Sequence, residues 1–73
     1  MAAMSGTRTV LPDRHLYKVP DAMILLSMSR TAIYEQIRSG RLRSVTQGRA
    51  RLIPASAIAD YIALLEREAK AAL

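Results

Sequence analysis

The sequence contains no cysteine, no tryptophan and no phenylalanine. Without thiols there is neither a disulfide framework nor a thiolate metal site to stiffen a small domain, and the redox compartment stays open. With three tyrosines as the only aromatic rings, the core must be filled by Leu, Ile, Val, Met and Ala, for which a 51% apolar composition supplies the material. Long hydrophobic runs are missing too. No uninterrupted apolar stretch is longer than residues 22–26, far too short to span a bilayer, and the first residues lack the charged start and apolar stretch of a secretory signal. A single histidine, His15, leaves a metal site or a catalytic triad without members, and the isolated glycines 6, 40 and 48 make no phosphate-binding loop. These absences predict a soluble, cytoplasmic chain that is not an enzyme and has no cofactor or membrane partner. A length of 73 residues allows one domain, since a chain of this size buries only roughly 60% of its unfolded surface.

What the chain has in quantity is arginine, concentrated in one stretch. Residues 30–51 hold six arginines, at 30, 38, 41, 43, 49 and 51, against the single acid Glu35, and this local +5 equals the net charge of the whole chain. The planar guanidinium suits phosphate and guanine edges better than a lysine point charge does. A solvated surface would spread its charge; the clustering points to an anionic partner, with nucleic acid first.

Residues 1–14 mix Gly, Pro, Ser and Thr without apolar periodicity and are expected to form a flexible tail, with Arg8 and Arg14 able to touch a phosphate backbone. Residues 15–71 are expected to form the domain. Pro20 and Asp21 suit a first helical turn, which places helix one over residues 20–26. Ser29 is a candidate N-cap for a second helix running to residue 39 and closed by Gly40. Residues 41–46 and 49–53 read as two strands of a hairpin with Gln47 and Gly48 at its tip. Pro54 is expected near the start of a third helix, whose core stripe is expected at Ile58, Ile62 and Leu65. The expected fold class is mainly α with a small β-hairpin, a winged helix-turn-helix in the order helix, turn, helix, two-stranded wing, helix.

Such a module presents its second helix to the major groove. At 100° per residue, Thr31, Tyr34 and Arg38 share about 60° of arc, while Ile33 and Ile37 point toward the other helices. Ser29, Arg30, Thr31, Tyr34 and Arg38 are therefore candidate DNA-binding residues of the helix, for base edges or phosphates. Glu35 is expected to pair with Arg38 rather than read a cytosine. In the hairpin, Arg49 and Arg51 are expected on one strand face, and with Arg43 and Gln47 they complete the DNA-binding set of a wing that lies along the backbone or in the minor groove.

Several residues together resemble a known family: Leu16 and Tyr17, the run from Pro20 to Leu26, Ser29 to Tyr34, Ser39 to Leu42, Gly48 and Arg49, Leu52 to Pro54, and Ile58 to Ile62. This pattern, covering residues 16–65, resembles the small excisionase-type DNA-binding proteins, whose winged helix-turn-helix is similar to the MerR-type DNA-binding domain. Lys18, Met23, Ser27 and Ile24 depart from it, Ser27 standing where a turn glycine is usual. The resemblance implies a recombination directionality factor that binds repeated sites beside a phage attachment site, bends the DNA and helps an integrase excise the prophage. Its reading positions fall on Arg30, Thr31, Tyr34 and Arg38, and on Arg49 and Arg51 in the wing. The partners implied are double-stranded DNA, an integrase and further copies of the chain side by side on DNA. Two alternatives stay open: a small transcription regulator of a phage or mobile element, and a protein-interaction module using helix three and Ile24.

Overall fold

A computed structural model describes residues 14–72 of the chain. The tail expected over residues 1–14 lies, except for Arg14, outside the described residues. The elements are β1 (Leu16–Lys18), α1 (Val19–Leu26), α2 (Arg30–Arg38), β2 (Val45–Gln47), β3 (Ala50–Pro54) and α3 (Ala55–Ala72). The winged helix-turn-helix order is therefore present, with one strand added at the front.

That strand is the main departure from the sequence reading. β1 pairs antiparallel with β3, Tyr17 opposite Ile53, and β2 pairs with the other edge of β3, so the sheet has the order β1-β3-β2. The ladder continues one step further, where the Ala55 N–H donates to the His15 carbonyl at 2.8 Å. The base of the domain is thereby tied to the start of α3.

α1 begins with Val19 and Pro20 in its first turn, where a missing N–H costs nothing, and Asp21 lies near the positive helix end. It ends in a Schellman motif. The Ser27 N–H donates to the Ile24 carbonyl at 3.3 Å and the Met28 N–H to the Met23 carbonyl at 2.9 Å, with Ser27 left-handed at φ 54°. This is the turn glycine position at which the chain carries serine. α2 starts at a serine cap, as its sequence indicates, and closes at Gly40, whose φ of +82° turns the chain so that Leu42 enters the core.

One core holds the elements together: Val19 and Ala22 of α1, Ile33 of α2, Leu42, Ile53 of β3, and Ala57, Ile58 and Tyr61 of α3. Ile37 packs against it from α2, as expected. On α3 the expected stripe is corrected. Ile58 is buried, but Ile62 and Leu65 are 41% and 39% exposed, and Ala57 and Tyr61 take the inward positions. The helix meets the core along its first two turns, then runs on past it with every residue from Leu65 to Ala72 exposed. Pro54 is the last residue of β3 and directly precedes the helix, near whose start it is expected. Among the described residues no helix is long and apolar enough to cross a membrane.

Candidate nucleic-acid interface

The interface starts from how α2 is made. Ser29 is extended and its Oγ accepts from the Ala32 N–H at 3.1 Å, satisfying one of the donors that every helix start leaves unpaired. Ile33 then points inward and is fully buried, which leaves Arg30, Thr31 and Arg38 on the exposed side of the same helix. Tyr34 sits at the boundary, half-buried and packed against the core. The helix thus has one anchored face and one free face, and the arginine at its C-terminal end, Arg38, also suits the negative end of the helix dipole. Among the described residues Glu35 makes no ion pair, so the expected pairing with Arg38 is absent. Arg38 is left free for an external anion.

The wing is shorter than the sequence suggests. Its closing pair is Gln47 opposite Ala50, so the loop consists of Gly48 and Arg49 and the tip is not Gln47 and Gly48. Gly48 has φ +60° and Arg49 does not share this left-handed conformation, the pattern of a type II′ turn, which suits glycine at the first loop position. Arg49 therefore projects from the loop, and the expectation that it shares a strand face with Arg51 is corrected. Arg51 lies in β3 opposite Thr46, and its Nη1 donates to Ser44 Oγ at 2.8 Å. Residues 51 and 53 do share a strand face. Arg51 is exposed and Ile53 fully buried because β3 passes from the projecting wing onto the core within two residues.

The remaining arginines are handled differently. Arg43 donates from Nη2 to Asp60 Oδ2 of α3 at 2.7 Å, with both side chains mostly exposed. Arg41 makes a bidentate bond to Glu68, Nη1 and Nη2 to the two carboxylate oxygens at 2.6 and 2.7 Å, while its Nε donates to Gln36 Oε1 at 2.7 Å. The bond from Arg41 holds the Glu68 carboxyl below its ordinary range, against the opposing effect of desolvation and with the charges of Arg41 and Arg67 adding to it. The sequence cluster of six arginines is thus sorted by the fold. Arg41 and Arg43 face acids of α3, whereas among the described residues no acid is within ion-pair distance of Arg30, Arg38, Arg49 or Arg51. Arg14 is bonded to Asp21 at 3.4 Å on the exposed start of α1.

The structure therefore brings Ser29, Arg30, Thr31, Tyr34 and Arg38 together on one helix, and Gln47, Arg49 and Arg51 together in one hairpin. The α3 carboxylates that bind two of the arginines are a part of this arrangement that local sequence reading missed. They lie 17 and 27 residues from their partners, and no local periodicity links them.

Residues 16–63 match a protein family described as a helix-turn-helix domain. A Saccharopolyspora erythraea protein named probable excisionase is 44% identical over 62 residues, which cover 85% of this chain and 63% of that protein. A Streptomyces ambofaciens protein named excisionase is 39% identical over 54 residues, 74% of this chain and 84% of that protein. The chain thus spans about 63% of the length of the first relative. No solved structure gives a significant match. From β1 to the middle of α3 the matched region contains the two helices and the wing described above, and the chain belongs to the helix-turn-helix domain family as a small protein of the excisionase type.

Proposed function

We propose that the chain is a sequence-specific DNA-binding and DNA-bending factor that directs integrase-mediated recombination toward excision of a prophage or similar element. The observation that carries this reading is the pairing of two cationic elements whose arginines have no acid within ion-pair distance among the described residues, the exposed face of α2 with Arg30 and Arg38, and the wing with Arg49 and Arg51. The names of the two relatives support the excisive role. In this role α2 enters the major groove, where Arg30, Thr31 and Arg38 meet base edges or phosphates and Tyr34 donates to a phosphate. Ser29 holds the helix start in place. The wing lies along the backbone or in the adjacent minor groove through Gln47, Arg49 and Arg51. Arg43 joins it by exchanging Asp60 for a phosphate.

The chain so described is architectural and does no covalent chemistry. A single small module buries little DNA surface, so useful specificity calls for several copies side by side on repeated sites, with an integrase as the protein partner. The test is a footprint and gel-shift titration on the DNA flanking the gene, at two salt concentrations with excess competitor, followed by bend mapping on circularly permuted fragments. Stepwise, salt-sensitive protection of short repeats with a position-dependent mobility shift is expected. Protection of a single promoter element without effect on excision would replace this reading with a transcription regulator. An absence of specific protection would remove both and leave a protein-interaction module.

A further inference from the structure

Residues 41–44 connect the C-terminal end of α2 to the wing, and they contain no regular secondary structure. Such a connector would ordinarily let the two elements swing relative to one another. Each of its four residues is nevertheless tied to another element of the fold. Arg41 bonds to the Gln36 side chain on α2 and to both oxygens of Glu68 on α3. Leu42 is fully buried, and its N–H donates to the Gln36 carbonyl at 3.1 Å. Arg43 bonds to Asp60 on α3, and Ser44 accepts from Arg51 of β3.

Gln36 is the common point. Its carbonyl also accepts from the Arg41 N–H at 3.0 Å and from the Ser39 hydroxyl at 3.0 Å. A continuous line of bonds therefore runs from α2 through Arg41 to the far half of α3. That half would otherwise project past the core without an anchor. The family match ends at residue 63, so Glu68 lies beyond the matched motif.

We propose that residues 41–44 act as a rigid strut that sets the angle between the groove-reading helix and the wing, with Arg41 and Glu68 as positioning residues and not as DNA contacts. Arg41 and Glu68 hold α2 to α3, which follows directly on wing strand β3, and Ser44 meets Arg51 of that strand. The inference rests on the DNA-binding reading. Two elements that must enter neighbouring features of one duplex bind well only when their relative placement is fixed in advance. The chemistry of Arg41 suits a strut, because a planar fork can satisfy a carboxylate through both Nη atoms while its Nε holds an amide oxygen, a geometry that lysine cannot reproduce. The exposure of 35% for the Arg41 side chain and 46% for Glu68 keeps the bond reachable by substitution without opening the core.

The test uses the full chain with a duplex enriched by the wild type from a random-sequence pool, and a scrambled duplex as the non-specific probe. Glu68→Gln and Arg41→Lys are each expected to weaken the enriched duplex by about three- to thirtyfold, the range by which changes along a coupled network act. Binding of the scrambled duplex and the salt slope should stay as in the wild type. The double variant Arg41→Ala with Glu68→Ala should lose no more than Arg41→Ala alone. If Arg41→Ala instead flattens the slope of log affinity against log salt by about 0.9 while Glu68→Gln leaves or improves affinity, Arg41 grips phosphate and the proposal is overturned. If the wild type enriches no duplex, the DNA-binding reading fails separately. The strut is then decided by 15N relaxation of residues 45–54: increased wing motion in Glu68→Gln supports it, and unchanged order overturns it.

Discussion

Two residues with left-handed backbone, Ser27 and Gly40, close the two helices of the motif by the same hydrogen-bonding device. Only one of them is a glycine. An L-residue in this region carries a steric cost of roughly 1–2 kcal/mol, while a glycine gives back roughly 0.5–1 kcal/mol through the freedom of the unfolded chain. The balance favours Ser27→Gly, which should stabilise the domain by about 0.5 kcal/mol. Gly40→Ala should destabilise it by about 1 kcal/mol, although open space surrounds the added Cβ, because the cost is conformational and not steric crowding by neighbours. Urea titrations followed by circular dichroism would measure both, and a destabilised Ser27→Gly would contradict the argument. At the start of α2, loss of the Ser29 hydroxyl leaves the Ala32 N–H without its side-chain partner. Ser29→Ala should cost about 1 kcal/mol, and Ser29→Asp should retain most of the stability since its carboxylate also caps a helix start. The same titrations decide this, with equal midpoints for Ser29→Ala and wild type counting against a structural cap.

The elements differ in how far their sequences announce them. α1 and α2 are legible because their signals are local: Pro20 and Asp21 in the first turn, a serine cap, a glycine close and apolar residues at helical spacing. β1 carries no comparable signal. Three residues with one half-buried tyrosine between two exposed neighbours become a strand only because β3 supplies its partner from residue 52 onward. The α3 stripe is displaced for a related reason. Periodicity identifies an amphipathic helix, but the arc that meets the core depends on where β3 delivers the chain, and this selects Ala57, Ile58 and Tyr61 over Ile62 and Leu65. The far half of α3 is secured by Glu68, and this makes its anchorage sensitive to acid. The Glu68 carboxyl titrates below its ordinary value near 4.5 in the folded protein, chiefly because Arg41 bonds to its charged form. A group depressed in this way contributes stability above its unfolded pKa and loses it as pH falls through the folded one. Stability should therefore decline as pH drops below about 4.5, and Glu68→Gln should reduce that decline while leaving the remaining carboxylates to act. Thermal melts across the acid range for both proteins would show it, and parallel curves would contradict the assignment.

For the molecule as a whole, the sequence locates the charge but not its division. A local +5 within residues 30–51 is visible in the composition, whereas the two acids that engage part of it stand on α3, outside that stretch. The division has a measurable consequence for DNA association, because each phosphate neutralised releases counterions and adds about 0.9 to the slope of log affinity against log salt. Arg38 and Arg49 have no acid at ion-pair distance among the described residues, so Arg38→Ala and Arg49→Ala should each flatten the slope by about 0.9. Arg43 already holds a carboxylate, and a phosphate must compete with Asp60 for it. Arg43→Ala should accordingly flatten the slope by less than Arg38→Ala does. Removing the competitor should act in the opposite direction: Asp60→Asn frees Arg43 and deletes a negative charge beside the wing, so affinity at low salt should rise and the slope should steepen. Fluorescence anisotropy on a labelled duplex over a series of salt concentrations resolves the four variants. An order in which Arg43→Ala flattens the slope most, or in which Asp60→Asn weakens binding, would mean that the Arg43–Asp60 pair is part of the DNA-binding geometry itself, and the division of the arginines would have to be redrawn.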